Sequence, residues 1–138
     1  MSHFTTIETQ IRDIEALKSA CAEMGLPIVP NAQARGYGRK THKGEYVITL
    51  KGPYDIAVNR QANGTFQLVT DWWDGHVEKE VGKNFGRLLQ LYGVHKASAE
   101  ARRKGYMVSR HVLNNGSIKL TMTGLPGVAL AKTGGTLP

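Results

Sequence analysis

The chain has 138 residues and a mass of 15.1 kDa, which suits one domain with a hydrophobic core and leaves little room for a second. Hydrophobic residues make up 41% and charged residues 21% of the sequence, a balance that excludes wholesale disorder. The formal net charge is +7, and a single cysteine excludes an intramolecular disulfide and any multi-cysteine metal site. No apolar run reaches the roughly 18 residues of a membrane span, and the start of the chain lacks a secretion signal. We therefore expect a protein of the cytoplasm, or of a plastid stroma, that has no membrane partner.

The positive charge is concentrated in the second part of the chain. Residues 1–81 hold nine Lys or Arg and ten Asp or Glu, whereas residues 82–138 hold nine Lys or Arg and one acid, Glu100. Such a one-sided field attracts a phosphate backbone or an acidic protein surface. It is also typical of a solvated helix face, so both interpretations stay open. The basic residues of this half are Lys83, Arg87, Lys96, Arg102, Arg103, Lys104, Arg110, Lys119 and Lys132.

The first elements in chain order are a strand and an amphipathic helix. Residues 3–8 have the composition of a short opening strand. Asp13 is placed to cap a helix that ends at Gly25, and apolar residues recur between them at spacings of three and four. Cys21 lies on this apolar stripe, which favours a small buried side chain over a nucleophile.

Strands dominate the next part of the chain. The Asn63-Gly64 pair is the strongest turn signal of this half and predicts a hairpin. A glycine-rich, basic loop is predicted at residues 36–44, without the spacing of a phosphate-binding loop. The predicted strands are residues 28–35, 46–51, 54–60 and 65–70.

The second half predicts one long helix, a hairpin and a tail. The helix is predicted from residue 78 to residue 104, but its glycines, each costing about 1 kcal/mol relative to alanine, leave a break open as an alternative. The alternating pattern in residues 107–113 and 117–123 predicts a hairpin with one face exposed to solvent. From residue 124 onward, glycine, proline and small residues predict a C-terminal tail.

Together these elements predict a single α+β domain over residues 1–123, with a mainly antiparallel sheet and two helices on one face. The order strand, helix, strand, strand occurs twice, and two β-α-β-β units side by side would form one sheet. The repeat lies in the order of elements and not in the residues, so chance is the alternative. The predicted core comprises Phe4, Ile14, Leu17, Cys21, Ile48, Ile56, Phe66, Leu68, Phe85, Leu88, Leu89, Tyr92, Ile118 and Leu120.

No arrangement of residues in the sequence predicts catalysis, a metal site or a cofactor. The five histidines lack the spacing of a helical metal site, and no Ser-His-Asp order or dinucleotide motif is present. His3 lies beside the chain start and has two interpretations: a histidine at the start of a strand that is hydrogen-bonded to the backbone, or a metal ligand. His95 is either a hydrogen-bonded histidine near Asp71 or the tryptophans, or a general base. If the strand continues through Trp72 and Trp73, one of them points into the core and the other outward. Two core aromatic residues at the corner between sheet and helix are the more common explanation, and both interpretations stay open.

Several short motifs, in their order along the chain, resemble one family. They are the opening Met-Ser-His-Phe-Thr-Thr-Ile, residues 11–17, 34–37 and 54–56, Asp71-Trp72-Trp73, and residues 92–96. This set resembles the conserved hypothetical plastid reading frame thirty-five family, a domain of unknown function in red-algal plastids, cyanobacteria and other bacteria. The resemblance covers residues 1–123 and implies a small soluble protein with no established reaction. It also implies genes that neighbour an AAA-type ATPase, and hence an accessory role with such an ATPase as partner.

We expect a non-catalytic binding or assembly factor that acts through a protein partner. The alternative is an RNA- or DNA-binding module that uses the basic C-terminal half and the 35–43 loop, and an enzyme comes third. The cluster at 102–104 is already explained by the negative end of a helix dipole, whereas the basic loop has no such structural explanation. The predicted binding residues are therefore Arg35, Tyr37, Arg39 and Lys40 on the loop, followed by Trp73 and Lys96.

Overall fold

Five antiparallel strands form the main sheet of the protein, in the order β1-β5-β4-β3-β2. The computed structural model describes residues 4–124 and 134–137. The helices α1 (Ile14–Met24) and α3 (Gly86–Arg103) pack against each other on one face of this sheet, which confirms the predicted α+β class. The strands of the main sheet are β1 (Phe4–Glu8), β2 (Ile28–Arg35), β3 (Thr41–Ile48), β4 (Ile56–Arg60) and β5 (Phe66–Asp71).

Helix α1 has the ends that the sequence predicts. One carboxylate oxygen of Asp13 accepts hydrogen bonds from the backbone N–H groups of Glu15 (3.0 Å) and Ala16 (3.2 Å), which satisfies donors that an uncapped helix leaves free. Gly25 ends the helix, and its N–H bonds to the carbonyl of Ala22. Cys21 is fully buried on the inner face. This burial confirms its prediction as a core residue, and it raises the pKa of the thiol to about 12.

The prediction of one continuous helix from residue 78 to residue 104 is wrong, and the alternative of a break at a glycine is confirmed at Gly82. A short helix α2 (Glu78–Val81) is followed by a 3-10 turn (Lys83–Phe85) and then by α3. Gly82 has φ +87°, and a Cβ there would lie 2.8 Å from the backbone nitrogen of Arg87. Only glycine fits such a turn without strain. The break brings the Phe85 ring, which is fully buried, to 4.7 Å from the ring of Trp72.

Strand β3 begins earlier than the sequence predicts. The expected loop at 36–44 is shorter and ends at residue 40, since Arg35 of β2 already pairs with Thr41 of β3. Polar side chains at Thr41, Lys43 and Glu45 are exposed, so this part of the strand looks like a loop in sequence. The strands predicted at 46–51 and 54–60 are correspondingly displaced, and residues 49–55 connect β3 to β4.

The second hairpin does not join the main sheet. Strands β6 (Tyr106–Val112) and β7 (Ile118–Gly124) form a separate three-stranded sheet with β8 (Gly134–Leu137), so the prediction of one sheet from two repeated units is wrong. The hairpin has one apolar side, and packing against α3 covers it: Ile118 and Leu120 are buried in the same core as the helix. A hairpin whose apolar side is already covered does not need an edge of the main sheet. Strand β8 lies in the segment for which the sequence predicts only a tail, and the domain boundary at residue 123 stays a prediction.

The core lies mainly between the main sheet and the helices. In β4, Ile56 and Val58 face the helices, whereas Ala57 faces a second, smaller cluster on the other side of the sheet. Most of the predicted core is buried, and Ile14 and Leu89 are partly buried against it. Phe4 is partly buried as well, but it packs against the second cluster and not against the main core.

The start of β1 lies close to the start of β3 and to the loop after β2. The ring of Phe4 lies 5.3 Å from the ring of His42 in β3, although β5 and β4 separate β1 from β3 in the sheet. A Cβ on Gly36, just after β2, would lie 2.6 Å from the Phe4 ring. This close approach brings the loop after β2 towards the end of β5. Strand β2 is an outer strand of the sheet, and it carries Pro30 and Asn31, the latter with φ 47°. Among the described residues, no helix is long and apolar enough to cross a membrane.

Candidate functional site

The loop between β2 and β3 is held by the buried carboxylate of Asp71. Its Oδ2 accepts the N–H of Tyr37 (3.1 Å), and its Oδ1 accepts the N–H of Trp73 (3.0 Å). Within the loop, the N–H of Lys40 bonds to the carbonyl of Tyr37 (3.2 Å). Asp71 is 1% exposed, so one desolvated carboxylate fixes both the loop and the chain segment after β5.

This anchoring places two exposed aromatic side chains together. Tyr37 is 48% exposed and Trp73 is 46% exposed, and their ring centroids are 5.9 Å apart with the planes at 75°. Edge-to-face contact at this distance is a favourable aromatic geometry. Trp72, in contrast, packs against the core. One tryptophan therefore points inward and one outward, and the interpretation of both as core residues is wrong. The cause is a 3-10 turn (Trp73–Gly75) and not a continued strand.

The half-exposed side chain of Arg35 is held by hydrogen bonds within the protein. Its Nε and Nη2 atoms donate to the two carboxylate oxygens of Asp55, each at 2.8 Å, and Nη2 also donates to the carbonyls of Leu50 and Gly52. The hydrogen bonds to Asp55 raise the pKa of Arg35. Burial by itself raises the pKa of Asp55, but the hydrogen bonds from Arg35 and Leu50 outweigh it, so the net pKa is lowered. Arg35 therefore organises the base of the loop, and its predicted role in binding stays a prediction.

Two acidic residues that the sequence analysis did not single out complete this base. Asp55 accepts the N–H groups of both Arg35 (3.0 Å) and Leu50 (3.1 Å). Glu80, on α2, accepts the N–H groups of Lys51 (2.8 Å) and Gly52 (3.0 Å) and so ties the connection between β3 and β4 to the helix. The signal for Asp55 was present, since an acid directly before a buried apolar strand requires hydrogen-bond partners.

A cavity of about 430 Å³ opens between this loop and the segment before β4. Arg39 and Lys40 line one part of it, and Pro53 and Tyr54 line another. Tyr54 is 7% exposed, and its ring stands edge-on to His76 at 5.4 Å. Burial raises the pKa of the Tyr54 hydroxyl, and the nearby Asp71, Tyr37 and Asp74 raise it further. The hydroxyl is therefore protonated at neutral pH and available as a donor.

The structure brings five of the six predicted binding residues to this end of the sheet, and Lys96 is the one left out. The Nζ atom of Lys96 lies 2.9 Å from Glu100 and 3.7 Å from Asp13, the cap of α1. The hydrogen bond to Glu100 raises the pKa of Lys96. Asp13 lies near the start of β5, because the carbonyl of Ile11, two residues before it, accepts the N–H of Phe66. The loop is attached to Asp71 at the other end of that strand.

His95 has a different partner from the ones that the sequence suggests. Its Nε2 lies 2.7 Å from a carboxylate oxygen of Glu23, and Arg110 donates two hydrogen bonds to the same carboxylate (2.9 and 3.2 Å). The three side chains connect α1, α3 and β6. The hydrogen bond from Arg110 is the main cause that lowers the pKa of Glu23. The expected proximity of His95 to Asp71 or the tryptophans is wrong, and His3 lies outside the described residues.

Comparison with known proteins gives a consistent family assignment. The family profile described as "Protein of unknown function (DUF1257)" matches residues 20–121. The chain is 31% identical over 127 residues to an "Uncharacterized protein ycf35" of Guillardia theta, covering 88% of this chain and 96% of that protein. A protein of the same description from Pyropia yezoensis is 30% identical over 124 residues, covering 87% and 94% of the two chains. No solved structure matches.

Proposed function

Since the chain belongs to the DUF1257 family, which includes the ycf35 proteins of plastids, we propose from its site that it is a non-catalytic binding factor that engages a protein partner. The contact surface of this proposal is the aromatic pair of Tyr37 and Trp73 together with the adjacent loop cations Arg39 and Lys40. The exposed aromatic pair is the observation that carries it.

The composition and rigidity of this surface support a protein partner. Tyrosine, tryptophan and arginine are the residues that contribute most to protein–protein interfaces, and here all three lie at one end of the sheet. Because Asp71 holds the backbone of both aromatic residues, their positions are set before a partner arrives. A surface that is already ordered loses less conformational entropy on binding.

The charge distribution around the pair favours a protein over a nucleic acid. Asp74 is exposed beside Trp73, and Asp71 lies beneath the pair, so this surface combines both signs of charge. A phosphate backbone would approach these carboxylates together with the loop cations. In the C-terminal half, Lys96 and Arg110 are already paired with acidic residues, which reduces the basic surface left for phosphates.

We propose an AAA-type ATPase as the first partner to test, and the cytoplasm or the plastid stroma as the compartment. Only the resemblance to the plastid family supports the ATPase, whereas a buried single thiol suits a reducing compartment. The partner and compartment can be tested separately from the surface itself.

The test compares Trp73→Ala with a matched control, Met107→Ala, which removes an exposed side chain from β6. Full-length tagged protein is used to capture partners from nuclease-treated lysate, and the captured protein is then purified and titrated by calorimetry. We expect Trp73→Ala to weaken the affinity at least about tenfold and Met107→Ala to leave it unchanged. Equal affinities for wild type and Trp73→Ala would refute the proposed surface, as would a partner that is captured only when the nuclease treatment is omitted.

A further inference from the structure

Strand β6 is an outer strand of the second sheet, and its edge away from β7 pairs with no other strand among the residues that the structure describes. It pairs with β7 over its full seven residues without a bulge. At the turn, the N–H of Leu113 donates to the carbonyl of Ser117 (2.8 Å), which sets the alternation of bonded and non-bonded pairs along the hairpin. The N–H and C=O groups of Val108, Arg110 and Val112 therefore point away from β7 and form an open edge.

This edge lacks the features that prevent the addition of another strand. Natural sheets protect their outer strands with proline, lysine, bulges or a short length. Residues 106–112 contain no proline or lysine, and none of them has a positive φ, in contrast to Asn31 in the outer strand β2. The charge of Arg110 is balanced, because its guanidinium donates two hydrogen bonds to the carboxylate of Glu23. The backbone of β6 is therefore open to pairing along its whole length.

Apolar side chains at the end of β6 are left exposed. Val112 is 70% exposed, and Leu113, which follows it, is 37% exposed. Val112 lies on the same face of the strand as Val108, which packs against the core, because side chains an even number of residues apart share a face. A further strand along the edge gives Val112 the cross-strand neighbour that it lacks on that side.

The strand is complementary to itself in one antiparallel register. When two copies of β6 pair about a two-fold axis, their outward backbone groups meet if the axis passes through Val108, Ser109 or Arg110. Only the axis through Ser109 pairs all seven residues, since the other two leave one end of each strand unpaired. This register sets Tyr106 opposite Val112 and so places an aromatic ring beside the exposed valine. An axis through Arg110 sets two guanidinium groups directly opposite each other, which is unfavourable.

We propose that a second copy of this chain pairs with β6 along this edge, antiparallel and about a two-fold axis at Ser109, so that the second sheets of the two copies become one continuous sheet. A two-fold arrangement closes on itself, because each copy uses its β6 edge once. The proposal concerns a surface other than the aromatic pair, and it does not rest on the proposed function.

The register is tested by cysteine cross-linking of the full-length protein. Ser109 meets its own copy in a non-hydrogen-bonded pair, whose Cα atoms are about 4.5 Å apart, within the range of a disulfide. Ser109→Cys should therefore give a disulfide-linked dimer on mild oxidation, seen by non-reducing electrophoresis. The matched control is His111→Cys, which is exposed on the same face and lies about 13 Å from its own copy in this register. The native Cys21 is buried and takes no part.

Sedimentation equilibrium measures the pairing without a cross-link. One strand pair is a small interface, so the wild-type protein should form a dimer with a micromolar dissociation constant. Val112→Lys places a charge on the open edge and should raise this constant at least about tenfold. Val29→Lys, the same substitution at a side chain of β2 that is 38% exposed, is the matched control and should leave it unchanged. Circular dichroism verifies that both variants are folded.

Several results would overturn the proposal. A wild-type protein that stays monomeric up to about 200 µM would do so. Equal cross-linking of Ser109→Cys and His111→Cys, or equal dissociation constants for wild type and Val112→Lys, would do so as well. If Ser109→Cys cross-links in lysate only to a different protein, the edge belongs to another partner and the proposal is wrong.

Failure here leaves the proposed function untouched. Trp73 lies outside β6, so Trp73→Ala should dimerise like the wild-type protein. Met107→Ala keeps the backbone of β6, and the affinity of the aromatic surface for its partner does not depend on it.

Discussion

Replacing Asp55 by alanine should be among the most destabilising single substitutions at the base of the loop. Its carboxylate is 4% exposed and accepts four hydrogen bonds, three from Arg35 and one from the N–H of Leu50. Removing one partner of a buried ion pair costs about 3–5 kcal/mol. Because the Arg35 side chain is 50% exposed and retains its bonds to the carbonyls of Leu50 and Gly52, we expect the lower end, about 3 kcal/mol.

Urea unfolding of the full chain, followed by circular dichroism, measures this loss directly. Asp55→Asn keeps the shape of the side chain and removes its charge. The difference in free energy of unfolding between wild type and this variant, measured as a function of pH, therefore reports the contribution of the charge. The pKa of Asp55 is lowered in the folded protein, so its contribution to the free energy of unfolding is present above the unfolded pKa and is lost as the pH falls through the folded pKa. The difference between wild type and Asp55→Asn should therefore persist at pH 7 and shrink below about pH 4. A loss of less than about 1 kcal/mol in Asp55→Ala at pH 7 would refute the assignment of Arg35 and Asp55 as the base of the loop.

Two further predictions concern the backbone break and the buried thiol. Gly82→Ala should lower the free energy of unfolding by about 2 kcal/mol, because φ is +87° and the new Cβ would meet the Arg87 nitrogen, whereas the control Gly86→Ala, with open space around it, should be neutral or slightly stabilising. Urea midpoints measure both, and equal effects would contradict the explanation of the break. Cys21, whose thiol pKa is raised by burial to about 12, should not react with a chromogenic disulfide reagent at pH 8 in the native protein and should react fully in urea. Comparable rates in the two conditions would show that this part of α1 opens readily.

Local signals account for the parts of the fold that the sequence predicts well. The cap at Asp13, the end at Gly25 and the apolar spacing between them involve residues within one helix, so α1 can be predicted without knowledge of the rest of the chain. The same holds for the hairpin of β6 and β7, where a turn separates two alternating segments. The separate second sheet depends instead on what covers the hairpin, and no local pattern encodes that choice.

The candidate site is predictable only in part. The composition of the loop predicts Tyr37 and Arg39 correctly as exposed residues, because charge, glycine and an aromatic ring rarely share a buried turn. Its attachment to Trp73 depends on Asp71, which lies 34 residues away from Tyr37 in sequence. Likewise, no pattern in the sequence distinguishes Arg35, held by Asp55, from Arg39. Contacts between residues so far apart in sequence depend on the tertiary fold, and no local pattern encodes them.

The outer edge of β2 has a consequence for how a partner can attach. Many proteins accept a peptide as an additional strand, which requires an unbroken row of backbone donors and acceptors. Pro30 has no N–H, and Asn31, with φ 47°, leaves the extended conformation, so the row is interrupted in the middle of the strand. This edge is therefore a poor template for strand addition, either by a partner peptide or by another copy of the chain. Recognition next to β2 then relies on the side chains of the loop that follows it.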